Sequence, residues 1–247
     1  MEPQFMPIKP ESSDAEIAAE FTELRCTAWN LDNYYARLAI LTALRRELPN
    51  FRGCVLDVGC GRSPYKPILL SPGSAVTTYI GMDLENNSYV VDPDLKWNGQ
   101  TIPLEDNSVQ SAIATEVLEH CADPTRLLRE VNRVMSPGGF IFVTVPFLWP
   151  LHDNPYDEYR YTPFSLERHF RDGGFQEIRL TALGGWDAAL ATMLGLWVRR
   201  RSMGSLRRRV LQRLLLPVYR RLIDLDSPPT DFGRSCMITG LAATARK

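Results

Sequence analysis

Two stretches of this chain gather residue types that can do chemistry. In the first, Val55-Leu56-Asp57-Val58-Gly59-Cys60-Gly61-Arg62-Ser63 runs directly into Pro64. Apolar β-formers leading into an acid and two glycines spaced by one read as a buried parallel strand that breaks into a tight turn. The turn then opens a helix, with Ser63 as N-cap and Pro64 as the first helical residue. A cofactor is expected on this turn. A dinucleotide fingerprint would need a third glycine where Pro64 stands, and the pattern is instead D-x-G-x-G-x-S. The second stretch runs from Pro146 to Pro163 and mixes aromatics, acids, His152 and Arg160 between prolines. That composition is poor material for a core and suits the binding of a polar substrate. His152, Asp157, Arg160 and Tyr161 are its candidates on the substrate side. Asp157 and Arg160, three residues apart, also have the spacing of an ion pair that would only stiffen the loop.

The residues around the glycine turn resemble motif I of the class I S-adenosylmethionine-dependent methyltransferases, and the resemblance continues in family order. Ile102-Pro103-Leu104-Glu105-Asp106-Asn107-Ser108-Val109, Glu116-Val117-Leu118-Glu119-His120 and Arg133-Val134-Met135-Ser136-Pro137-Gly138-Gly139 look like the later blocks of its type 11 members. The 146–163 loop is similar to one in a subgroup associated with bacterial surface glycan assembly. The resemblance implies a Rossmann-like, doubly wound α/β fold, with a seven-stranded sheet that is mostly parallel and a last strand that is antiparallel. It implies S-adenosylmethionine as the cofactor, held by Asp57, Gly59, Cys60, Gly61, Asp83, Leu84, Asn98, Thr115 and Glu116. Asp83 would take the ribose hydroxyls. Asn98 stands where relatives put an acid for the adenine amino group, although Asn98-Gly99 is equally a plain turn signal. Methyl transfer is a direct displacement, so the protein chiefly aligns the acceptor and excludes water. A hydroxyl acceptor also needs a base, and His152 is the first candidate, His120 the second.

Composition narrows the alternatives. The 247 residues are 45% hydrophobic with a formal net charge of −1, enough for one α/β core with decoration and too neutral for a general nucleic-acid binder. The five cysteines lack any C-x-x-C pair, so neither a disulfide framework nor a metal site is expected, and the reading is a reducing, cytoplasmic protein. Residues 1–13 do not read as a signal peptide, and no apolar run reaches the roughly eighteen residues needed to span a bilayer. A nicotinamide-dependent oxidoreductase and a methyltransferase-like binding protein without catalysis remain as alternatives.

The elements that must position these residues follow from spacing. Residues 1–12 form a polar lead-in. Ser13 or Asp14 caps a helix to about Leu24, and Asp32 or Asn33 caps a second through Glu47, so residues 1–50 make a helical cap. In the family such helices fold over the cofactor, which brings Trp29, Tyr34 and Tyr35 into question, against the plainer reading that they pack on the sheet. Residues 51–183 hold the cofactor-binding core: strands at 76–82, between 89 and 97, at 111–115, 140–145 and 175–183, a reduced helix after the second strand, a helix from Pro124 closed by Gly138-Gly139, and one from Thr162 or Ser165 to Arg171. Residues 184–235 are an insertion, and 236–247 hold the final strand. Within the insertion, Trp186 to Val198 is an apolar helix, and Arg199 to Arg221 carries nine arginines and no acid among leucines and valines. That amphipathic pattern fits an anionic membrane surface, or else a basic face packed on the domain or on a second subunit as a homodimer. The expected acceptor is a small molecule or a glycan, including lipid-linked sugars. Nucleic acid is disfavoured because the arginines carry no series of stacking aromatics between them, Tyr219 standing alone.

Overall fold

The computed structural model describes residues 13–85 and 92–247. The N-terminal lead-in, and part of the segment expected to hold a reduced helix and the start of the third strand, lie outside the described residues. Among those described, seven strands form one sheet: β1 (Gly53–Val58), β2 (Val76–Leu84), β3 (Leu95–Trp97), β4 (Val109–Thr115), β5 (Met135–Pro146), β6 (Gln176–Leu183) and β7 (Gly240–Arg246). Their order is β3-β2-β1-β4-β5-β7-β6. The β1, β2, β3, β4 and β5 pairings are parallel, and β7 runs antiparallel to both of its neighbours.

Alternation along the central strands explains why both faces of the sheet are covered. Leu56 and Val58, Ala112 and Ala114, and Ile141 and Val143 belong to one apolar cluster. Val55, Ile113, Phe140 and Phe142 belong to another on the opposite face. The first face receives α4 (Pro124–Val134), whose Leu127, Leu128, Val131 and Val134 are all buried. Each such side chain contributes about 1.5–3 kcal/mol. The second face receives α2 (Tyr34–Glu47) through Ile40, Leu41 and Leu44.

Helix boundaries follow the capping chemistry with three corrections. Ser13 and Glu16 close a capping box on α1 (Asp14–Phe21), and Asp123 and Thr162 cap α4 and α5 (Pro163–Asp172) with their side chains. First, Ser63 caps nothing: α3 (Lys66–Leu69) starts after Tyr65, and Ser63 itself adopts φ 51°. The turn therefore stays left-handed through Ser63, a conformation more usual for glycine. Second, α4 ends at Val134 and β5 begins at once, so Gly138-Gly139 lie inside the strand instead of closing the helix. Third, the final strand begins at Gly240 and not at Cys236.

The insertion folds as a helical hairpin, α6 (Trp186–Arg200) and α7 (Ser205–Leu225), built against α2 and the segment before it. Leu31, Tyr35, Ala188, Ala191, Val198 and Tyr219 form its core. Gly195 lets α6 come so close that a Cβ there would fall on the Leu31 carbonyl.

Candidate active site

The parallel register sets the C-terminal ends of β1, β2, β4 and β5 along one edge, where ligands of open α/β sheets collect. At the end of β1, Gly59 (φ 67°) and Gly61 (φ 52°) make the turn. A Cβ on Gly59 would lie 2.6 Å from Val117 Cγ2, so the turn is packed against the residue following Glu116 and tolerates only glycine. Asp83, buried at the end of β2, closes the turn: its carboxylate accepts the Gly61 N–H at 2.8 Å and the Leu84 N–H at 2.7 Å. Burial raises its pKa, and those two N–H bonds oppose the rise. A carboxylate has about four acceptor positions, so two remain for a vicinal pair of hydroxyls. The donor set and the glycine cradle thus fit the cofactor implied by the sequence.

Several expected cofactor contacts turn out to be supports. Asp57 is buried and accepts the Tyr79 hydroxyl beneath the turn, where burial pushes its pKa up to about 7, with the Tyr79 bond lowering it and Asp83 raising it. Cys60 is buried and ties its N–H to the Met82 carbonyl at 3.0 Å. Asn98 is exposed, and its side-chain oxygen accepts the N–H groups of Gln100 and Thr101 at 2.9 and 3.2 Å, which gives it the turn role. Leu84 is exposed at the rim, and Thr115 lies opposite Thr144 at the end of β4. Glu116 follows with φ 56°, a conformation that costs a non-glycine residue roughly 1–3 kcal/mol and persists where function holds it. It accepts the Thr144 hydroxyl at 2.9 Å, and burial raises its pKa.

The loop after β5 is braced by its own charged pair. Asp157, with only 1% of its side chain exposed, takes both guanidinium nitrogens of Arg160 at 2.7 and 2.9 Å and the His152 N–H at 3.1 Å. Arg160 also donates to the Tyr159, Trp149 and Pro150 carbonyls. Tyr161 is buried and donates to the Leu118 carbonyl at 2.7 Å. Each of these three candidates for substrate contact also braces the loop. What they hold in place is His152, whose Nδ1 lies 3.3 Å from Asp157 Oδ2. The rings of His152 and His120 meet edge to face at 4.8 Å, and His120 Nδ1 lies 3.1 Å from the Tyr156 carbonyl. Burial lowers the His120 pKa, and the bond to the Tyr156 carbonyl opposes that shift.

Sequence reasoning missed how deep Glu119 lies. It is fully buried, neither carboxyl oxygen has a hydrogen-bond partner among the described residues, and burial together with the charge of Glu116 holds its pKa far above the usual range. Glu119, His120 and His152 each bring one ligand atom within 4.8 Å of the others, a set that a divalent cation could bridge. Also missed was the wall of the cleft beside Glu116, formed by Tyr35 and Ala39 of α2, Trp149 of the loop and Thr192 of α6. No periodicity in the sequence links those elements. The N-terminal cap does close over the turn, through the Glu20–Arg62 ion pair and the edge contact of Phe21 with Tyr65. Tyr35 reaches the cleft, whereas Tyr34 packs on Tyr219 and Trp29 points to solvent.

Residues 56–143 match the family described as "Methyltransferase domain". A ubiquinone biosynthesis O-methyltransferase of Hydrogenovibrio crunogenus is 26% identical over 151 residues, 54% of this chain and 61% of the relative. The chain spans about three fifths of the length of the curated relatives it matches first. Among solved structures, a SAM-dependent methyltransferase from Archaeoglobus fulgidus is similar with a TM-score of 0.52 at 15% identity, covering 86% of this chain and 94% of its own. A phosphoethanolamine N-methyltransferase from Haemonchus contortus, solved with S-adenosyl-L-methionine, gives 0.51 at 13% identity over 96% of this chain and 60% of its own. Residues 56–143 thus carry a methyltransferase domain, in a fold shared with solved S-adenosylmethionine-dependent methyltransferases. S-adenosylmethionine is its cofactor.

Proposed function

We propose that the protein transfers a methyl group from S-adenosylmethionine to a hydroxyl of a small-molecule or glycan acceptor, with lipid-linked sugars the favoured class. Bound at the edge, the cofactor supplies a methyl group activated by its sulfonium. The observation that carries this reading is the pairing of the Asp83-closed glycine turn with His152, which Asp157 holds beside the same edge. Backbone at Gly59 and Gly61 holds the methionine end, and Asp83 orients the ribose. The Asp157 carboxylate approaches His152 Nδ1 to 3.3 Å without a hydrogen bond to it, and its charge there favours a proton on Nδ1, which leaves Nε2 to take the acceptor proton as the new bond forms. His120, whose ring meets that of His152 edge to face, stands beside the base. Tyr35 and Trp149 wall the cleft beside Glu116. The O-methyltransferase names of the curated relatives support a hydroxyl acceptor, and the 146–163 loop resemblance supports a sugar. The domain match speaks against the nicotinamide alternative.

The test is a screen for S-adenosylhomocysteine release over nucleotide-linked and lipid-linked sugars and quinol-type phenols, run on wild type and His152→Ala. Removing the base should lower kcat by roughly 10²–10⁴-fold with cofactor affinity within about twofold of wild type. Unchanged turnover would remove His152 from the chemistry, and release with amine acceptors alone would overturn the hydroxyl assignment.

A further inference from the structure

The α6–α7 hairpin buries one side and leaves the other uncovered. On α6, Trp186, Leu190, Met193 and Trp197 are exposed at helical spacing. On α7, Leu206, Val210, Leu214 and Val218 are exposed at every fourth position, and Leu225 extends the row by two further turns. The opposite side of α7 is the one that packs, through Leu211, Leu215, Tyr219, Leu222 and Ile223. Arg207, Arg209, Arg213 and Arg221 are exposed on the same helix and make no hydrogen bond or ion pair among the described residues. The only acid in α7 is Asp224.

We infer that the outer face of this hairpin seats the enzyme on an anionic lipid bilayer. An apolar row flanked by unpaired arginines is the surface of a helix lying in the plane of an interface, where the chains cover the leucines and the headgroups neutralise the guanidinium groups. A second copy of this chain is the competing occupant, and charge argues against it. A twofold interface places the same patch on itself, so the arginines of two copies would face one another with one acid per helix to offset them. No described helix is long and apolar enough to cross a membrane, so the contact is peripheral.

The position of the hairpin gives the contact a use. Thr192 of α6 lines the cleft beside Glu116, and the Arg200 guanidinium at the end of α6 lies 5.2 Å from the centre of the Trp149 ring in the cleft wall. Tyr219 of α7 accepts the Tyr35 N–H at 3.2 Å, and Asp226, just after α7, accepts the Tyr35 hydroxyl at 3.2 Å. The hairpin that presents the lipid-facing surface thus also lines the cleft through α6 and braces its wall through α7. A membrane-anchored acceptor would reach the cleft without leaving the bilayer surface, a consequence that rests on the proposed function.

The test is co-sedimentation of the full chain with vesicles of phosphatidylcholine alone or mixed with phosphatidylglycerol, at low and raised salt. Wild type should bind the anionic vesicles selectively and release at high salt. Arg207→Gln/Arg209→Gln/Arg213→Gln/Arg221→Gln should weaken that binding by on the order of a hundredfold, and Val210→Glu/Leu214→Glu should abolish it. Calorimetric titration of the same samples with S-adenosylmethionine reports folding and the cofactor site separately: both variants should bind it as wild type does. Equal binding to both vesicle types, no binding to either, or full binding by the arginine variant would overturn the inference. A dimer in sedimentation velocity that Val210→Glu/Leu214→Glu dissociates, without vesicle binding by wild type, would assign the face to a second copy. Vesicle binding by a wild type that takes up no cofactor would leave the inference standing and overturn the proposed function.

Discussion

At the glycine turn the working groups are main-chain atoms and one buried acid, while in the loop of residues 147–162 they are side chains braced by other side chains. The turn is anchored by two N–H bonds onto Asp83 and by the packing of Gly59 on Val117. The loop is anchored by one buried ion pair, Asp157–Arg160, with carbonyls gathered around the guanidinium. A cofactor that is the same throughout the class can be held by backbone, whose geometry depends little on neighbouring residues. An acceptor peculiar to one enzyme needs side chains, and long loop side chains need bracing before they can be positioned within a fraction of an ångström.

The comparison is broken most severely at Asp83. Asp83→Ala should weaken S-adenosylmethionine binding by on the order of a hundredfold or more, because the ribose loses its acceptor and the Gly61 and Leu84 N–H groups lose theirs. Calorimetry measures this, and binding within twofold of wild type would detach Asp83 from the cofactor. Asp157→Ala attacks the other region. Stability should fall by about 3 kcal/mol in urea unfolding, since Arg160 is left unpaired and His152 unsupported. Turnover should drop, while cofactor affinity in the residual folded protein stays close to wild type.

The two regions also respond oppositely to pH. Burial alone would raise Asp157, but Arg160 and the His152 N–H bring it down to about 2. Its stabilisation is therefore fully present above about pH 4 and is lost as pH falls toward 2. Asp57 is the reverse: with its pKa pushed up to about 7, the folded state holds a proton that the unfolded chain has released, so stability declines as pH rises from about 4 to 7. Asp57→Asn keeps an acceptor for Tyr79 and should flatten the decline on the alkaline side by about 1 kcal/mol or more, while leaving the acid limb in place. Urea midpoints at several pH values check both limbs.

The smallest effects sharpen the account. Ser63→Gly removes the left-handed strain of a serine but adds freedom to the unfolded chain, so stability should stay within about 1 kcal/mol and cofactor affinity should not change. Treatment with a chelator should leave turnover unaltered if Glu119, His120 and His152 exchange protons. Loss of activity restored by a divalent cation would turn that cluster into a metal centre.

The cofactor side was legible in the sequence because its signals are local. The glycine spacing, the acid ending β2 and the ordered blocks each lie within a few residues of the turn or strand they define. Ser63 was misread because a serine before a proline looks like a cap, and only the approach of Gly61 to Asp83 shows that the chain is still turning there. The acceptor side was partly legible. The loop composition pointed to the 146–163 stretch, and the spacing of Asp157 and Arg160 already allowed the ion pair that the structure shows, whereas nothing local records that Tyr161 reaches back to the Leu118 carbonyl. The cleft wall joins Tyr35, Trp149 and Thr192 across more than 150 residues of chain, by packing that no period in the sequence records.

The central claim is that the turn closed by Asp83 is an S-adenosylmethionine site. Titration of the wild-type chain with S-adenosylmethionine and, in parallel, with NAD tests it most directly. The account predicts saturable one-to-one binding of S-adenosylmethionine that Asp83→Ala removes, with no heat from NAD. Binding of NAD in its place, or of neither ligand by a folded chain, would contradict it.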